Sequence, residues 1–144
     1  MSFGKFLIAP LSSMLGIRAG MNVSVHNAPA GFMEALFPLP EGTHLLDTAK
    51  TGLDVQVLFT EKKTELIEKL TALTRGMSVM GAVWICFPAS TEQPHAPSED
   101  FVRLAALELG LTDTKKLMLD PAWNALKLQW KPRNPRVDLP SARA

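Results

Sequence analysis

Residues 22–40, NVSVHNAPAGFMEALFPLP, decide how this chain is read. Val23 and Val25 alternate with Ser24 and His26, the period of two that marks a strand, and the strand is predicted over Asn22–Asn27. Asn27-Ala28-Pro29-Ala30-Gly31 then turns the chain. A short helix is predicted over Gly31–Phe37, and it must stop at Pro38 and Pro40 because proline cannot continue a helix interior. A strand passing through such a turn into a helix is the corner where an open α/β sheet holds a nucleotide or cofactor.

The flanks extend the pattern. Upstream, SSMLGIRAGM predicts a short helix capped by Ser12 or Ser13 and ended near Gly16 or Gly20, so residues 1–20 read as a helical lead-in. Downstream, THLLD (43–47) and DVQVLF (54–59) read as strands. Leu66, Ile67, Leu70 and Leu73 recur at helical spacing, predicting a helix over Thr60–Arg75 ended by Gly76. Glu65 and Lys69 are expected on its outer face. MGAVWICF (80–87) is an uninterrupted apolar strand of the kind covered on both faces of a parallel sheet. Ser98 caps a helix whose buried face is Phe101, Val102, Ala105, Ala106 and Leu109. TKKLMLD (114–120) and WNALKLQW (123–130) are joined so tightly at Asp120-Pro121-Ala122 that they must run antiparallel. Leu126, Leu128 and Trp130 share one face of the last strand. The alternation predicts an α/β fold: an open, mostly parallel sheet with helices on both faces and a C-terminal antiparallel hairpin. Residues 1–131 form one domain in this reading, and 132–144 a mobile tail.

Composition narrows the function. The chain has 144 residues, 47% hydrophobic and 20% charged, with a formal net charge of +1. No strong field favours nucleic acid or an anionic membrane. Lys131, Arg133, Arg136 and Arg143 sit among prolines and read as a solvated end. The single cysteine, Cys86, lies in an apolar run and reads as a buried thiol; it excludes an intrachain disulfide. His26, His44 and His95 have no metal-ligand spacing, and no phosphate-loop or zinc-protease motif occurs. Lys5 before FLIAPLSSMLGI faintly resembles a secretory leader, but Pro10 and two serines interrupt it, so the expected location is cytoplasmic, with no membrane span.

Four stretches carry a resemblance: LGIRAGMNVSVHNAPAGF (15–32), DVQVLF (54–59), MGAVWICFP (80–88) and LDPAWNALKLQW (119–130). Together they resemble a small bacterial domain-of-unknown-function family with the Rossmann-like fold of S-adenosylmethionine-dependent methyltransferases. The resemblance reaches from about Leu15 to Trp130. It implies the fold and no activity. The chain departs from that family after Pro88, where a lysine-rich loop is replaced by ASTEQPHAPSED, which has no lysine. It also departs from a full methyltransferase sheet, because TAKTGL before the third strand is too short to contain another βα unit.

The candidate cofactor-binding residues are Asn27, Ala28, Pro29 and Gly31 in the turn, with Asp47 as the acidic residue that would hold ribose hydroxyls. Asp47 follows Gly31 by sixteen positions, near the roughly 20-residue spacing of dinucleotide sites. Each also has a plain structural reading: Gly31 at a demanding backbone angle, Asp47 as an exposed loop carboxylate. His26 is either a general base at the strand's carboxyl end or a buried histidine with a partner. Trp123, at the hairpin turn, is a further contact candidate. No catalytic set and no metal site emerges. Two functions stay open: a degenerate, non-catalytic domain that binds a small ligand or a protein partner, or a methyltransferase using S-adenosylmethionine. A homodimer through the terminal hairpin is expected if its apolar face lies at a sheet edge.

Overall fold

The computed structural model describes residues 3, 7–47, 51–90 and 92–132. The expectations for the tail beyond Pro132 and for Lys5 lie outside those residues. The elements are α1 (Leu11–Met14), β1 (Asn22–His26), α2 (Phe32–Leu36), β2 (His44–Leu45), β3 (Leu53–Phe59), α3 (Lys63–Thr74), β4 (Met77–Pro88), α4 (Glu99–Glu108), β5 (Leu111–Asp120) and β6 (Trp123–Trp130). They build one six-stranded sheet in the order β2-β1-β3-β4-β6-β5. β2, β1, β3 and β4 run parallel, and β6 turns antiparallel between β4 and β5. From β1 the chain steps outward to β2, then returns to build β3 and β4 on the other side. The strand order therefore reverses between β1 and β3, and such a reversal opens a crevice at the carboxyl ends of the two strands.

Each face of the sheet buries its own core. Leu11 and Leu15 around α1, with Phe32 and Leu36 of α2, pack on Val23, Val55, Val57, Phe59, Trp84 and Cys86. Leu66 and Leu70 of α3, with Val102 and Ala106 of α4, pack on Leu58, Val83, Ile85, Leu126 and Leu128. The odd residues of β3 thus serve one layer and the even ones the other, and β4 from Ala82 to Phe87 is buried throughout. The indole Nε1 of Trp84 donates to the Leu15 carbonyl at 2.9 Å. That bond satisfies a carbonyl the end of α1 leaves open and fastens the lead-in to the sheet.

Several boundaries differ from the sequence reading for definite reasons. α1 starts after Pro10, without a side-chain cap, and Ser12 is buried within it rather than capping it. β4 begins at Met77, three residues before the apolar run, because a bulge carries it past Leu53. Gly81 makes the bulge feasible: a Cβ there would lie 2.7 Å from the Leu53 carbonyl oxygen. The last strand, β6, is internal and not an edge. Its Leu126 and Leu128 already lie under α3 and α4, and Trp130 Nε1 donates to the Ser78 carbonyl at 3.1 Å. The apolar face that motivated a homodimer is covered by the chain's own helices.

Candidate functional site

β1 delivers His26 to the carboxyl edge of the sheet, and Asn27 follows with φ 59°. Asparagine tolerates this left-handed conformation better than other residues with side chains, glycine aside. Its Nδ2 donates to the Phe59 carbonyl at 3.4 Å, joining the ends of β1 and β3. The Phe32 N–H returns to the Pro29 carbonyl at 3.2 Å, closing the turn. Gly31 stands at φ 90° as the residue before α2. The glycine is therefore consumed by the turn, and Pro29 offers no N–H.

At the strand-order reversal lies an open cleft of about 420 Å³, with Asn27 and Pro29 on one side, Phe59 to Lys62, Glu65 and Lys69 on the other, and Trp123. Its volume falls within the range of ligand sites, roughly 300–1,000 Å³. Trp123 meets Phe59 edge to face, ring centroids 5.1 Å apart. Asp120 holds Trp123 in place: its Oδ1 accepts the N–H groups of Ala122 (2.8 Å) and Trp123 (2.9 Å). A second cleft of about 350 Å³ opens between the β4–α4 loop, Lys63 and Asn124. It lies beside β4 and not at the reversal, so the first cleft is the stronger candidate.

Of the residues singled out in the sequence, the cleft brings together Asn27, Pro29 and Trp123. Ala28 instead packs against the α1–α2 core, and Gly31 is a hinge of the turn. Asp47 is exposed, two residues beyond Leu45, the register partner of Val23; it is not among the residues lining the cleft. Phe59, Thr60, Glu61, Lys62, Glu65 and Lys69 were missed as lining residues. The signal was available: in a parallel sheet a crevice takes its second wall from the loop after the neighbouring strand, here FTEKK. Glu65 and Lys69, expected on the outer face of α3, are half-buried at this wall, and no ion pair joins them among the described residues.

His26 belongs to a polar chain on the second face of β1. Its Nε2 lies 2.9 Å from Ser24 Oγ, which lies 3.5 Å from Gln56 Oε1; Gln56 Nε2 donates to the Leu73 carbonyl at 3.0 Å. Ser24 and Gln56 are fully buried. This answers how a polar strand face sits inside an α/β sheet: the groups satisfy one another. Burial, and secondarily the Lys69 ammonium, holds the His26 imidazolium pKa below the usual histidine value of 6.5. Burial pushes the Cys86 thiol well up, which leaves it an inert core residue. No cluster of three metal-ligating side chains occurs among the described residues. Nor is any described helix long and apolar enough to cross a membrane.

Solved structures match this architecture. A putative type 11 methyltransferase from Sulfolobus solfataricus superposes with a TM-score of 0.60 at 11% identity, over 85% of this chain and 90% of that one. An S-adenosylmethionine-dependent methyltransferase from Aquifex aeolicus gives 0.55 at 12%, over 81% and 85%. The fold is methyltransferase-like. The mitomycin 7-O-methyltransferase MmcR gives 0.57 at 10% identity over 78% of this chain, which spans about half (49%) of that protein's length. Identities this low establish the fold alone. No family model matches the chain, and no curated protein matches it.

Proposed function

We propose that the chain is a degenerate methyltransferase-fold domain whose cleft at the β1–β3 reversal binds a small ligand without transferring a methyl group. One observation carries this reading: the turn that would cradle an adenosyl ligand spends Gly31 on entering α2 and places Pro29 in the cleft wall. Two others support it. Only seven residues, 46–52, separate β2 from β3, too few for the βα unit that would wall an adenosine. Asp47, the candidate ribose partner, is exposed outside the cleft's lining. The group does not fit these residues as a whole, and no step is assigned to it.

The competing reading, a methyltransferase using S-adenosylmethionine, is favoured by the fold of the solved structures it resembles. Membership of the bacterial domain-of-unknown-function family, a cytoplasmic location and a single unit over 1–131 accompany the proposal as parts of the same reading. A homodimer is the weaker partner assignment, since the edge strand of the terminal hairpin is β5, where Lys115 and Lys116 are exposed. A ligand-observed NMR screen of small metabolites tests the proposal. Hits lost in both Asn27→Ala and Trp123→Ala place binding in the cleft. Hits that survive both substitutions, or no hits, would remove it.

A further inference from the structure

A second hollow adjoins the cleft and shares Asn27 and Lys69 with it. It holds about 260 Å³, lined by His26, Asn27, Leu58, Lys69, Ala72 and Leu73. The link from β2 to β3 is seven residues long, and no described helix lies within it. The polar chain beneath it anchors the ring at one nitrogen. Gln56 donates its amide to the Leu73 carbonyl, so Oε1 faces Ser24 at 3.5 Å, too long to fix the direction of the Ser24 hydroxyl. Ser24 Oγ lies 2.9 Å from His26 Nε2, and which of the two donates depends on the imidazole tautomer. Nδ1 is the remaining polar atom of a ring that lines the hollow.

Facing it from α3 is Lys69, half-buried and in no ion pair among the described residues. The other charged groups of the adjoining cleft are Glu61, Lys62 and Glu65; β3 contributes the neutral Gln56 and Leu58. One unmatched ammonium beside a neutral imidazole suits a single negative charge. Leu58, Leu73 and the exposed Ala72, which also line it, suit an apolar body.

We propose that this hollow binds a small carboxylate with an apolar body, its charge on Lys69, and takes up a proton on His26 as it does so. Burial, and after it the Lys69 ammonium, disfavours the His26 imidazolium; a bound carboxylate supplies a counter-charge that opposes both and shifts the ring toward imidazolium, whose Nδ1–H is a donor. The hollow shares Asn27 and Lys69 with the Trp123 cleft but not Trp123 itself, so Trp123→Ala separates this proposal from that reading.

The test follows the His26 ring resonances by NMR while titrating 4-methylpentanoate, with 4-methylpentanamide and inorganic phosphate as probes of charge and geometry. The carboxylate is expected to raise the pKa of His26, and its affinity to rise by up to about tenfold per pH unit on acidification between the free and bound values. Lys69→Met, or Lys69→Gln if the first variant folds poorly, should weaken binding about tenfold or more. Trp123→Ala should leave it unchanged. No response at millimolar carboxylate, an equal response to the amide, binding of phosphate alone, or unaltered affinity in both Lys69 variants would overturn the proposal.

Discussion

At the scale of single residues, the backbone angles and neighbours of a few positions make firm demands. Gly31 at φ 90° admits side chains only with strain, so Gly31→Val is expected to lose about 1–2 kcal/mol or more of stability. It is therefore a poor probe of ligand binding, and Trp123→Ala is the better one. Gly81→Ala would drive a Cβ against the Leu53 carbonyl. Urea unfolding should show a loss of about 1–3 kcal/mol, as overpacking gives elsewhere, and an unchanged midpoint would contradict the bulge. His26 has its own signature. Its folded pKa is lowered from 6.5, so the native state holds fewer protons than the unfolded one just below that value. Stability must fall as pH drops from the unfolded pKa through the folded one, and level off from this group below it. Melting curves of the wild type should show that loss, and His26→Gln should remove it.

At the scale of elements, helix ends and sheet edges carry the predictions. Ser98 Oγ accepts the Phe101 N–H at 3.1 Å, so it caps α4 as its sequence position implies. Ser98→Ala should cost about 1 kcal/mol in thermal unfolding. α4 is also tied to β5, since Arg103 bonds Glu99, Asp100 and Asp113, and Lys116 bonds Glu99. These groups are substantially exposed, so their ion pairs orient the helix more than they stabilise it. On the outer edge of β5, Lys115 and Lys116 blunt strand pairing with a second copy. Light scattering should find a monomer at micromolar concentration, and Lys115→Thr with Lys116→Thr should increase association. Most of these elements were legible in the sequence because their signals are local: alternation in VSVH, helical spacing of Leu66, Leu70 and Leu73, the cap at Ser98. What escaped was set by pairing across the chain. The start of β4 at Met77 depends on β3, and the internal place of β6 depends on β4; neither leaves a mark in its own residues.

At the scale of the molecule, the sheet order β2-β1-β3-β4-β6-β5 fixes where a ligand can sit. The sequence marked one wall, Asn27 and Pro29, from the strand–turn–helix pattern. The other wall, Phe59 to Lys69, follows once β3 stands beside β1, and the loop after β3 is the signal that marks it. Asp47 was chosen by its distance along the chain, and distance along the chain does not fix depth in a cleft. β2 passes to β3 in seven residues, and on the second face of β1 and β3 the polar chain of His26, Ser24 and Gln56 ends at the Leu73 carbonyl of α3. The measurement that bears most directly on this account is a calorimetric titration of the protein with S-adenosylhomocysteine. The account predicts no saturable heat at millimolar ligand; a one-to-one isotherm in the micromolar range, lost on Trp123→Ala, would contradict it.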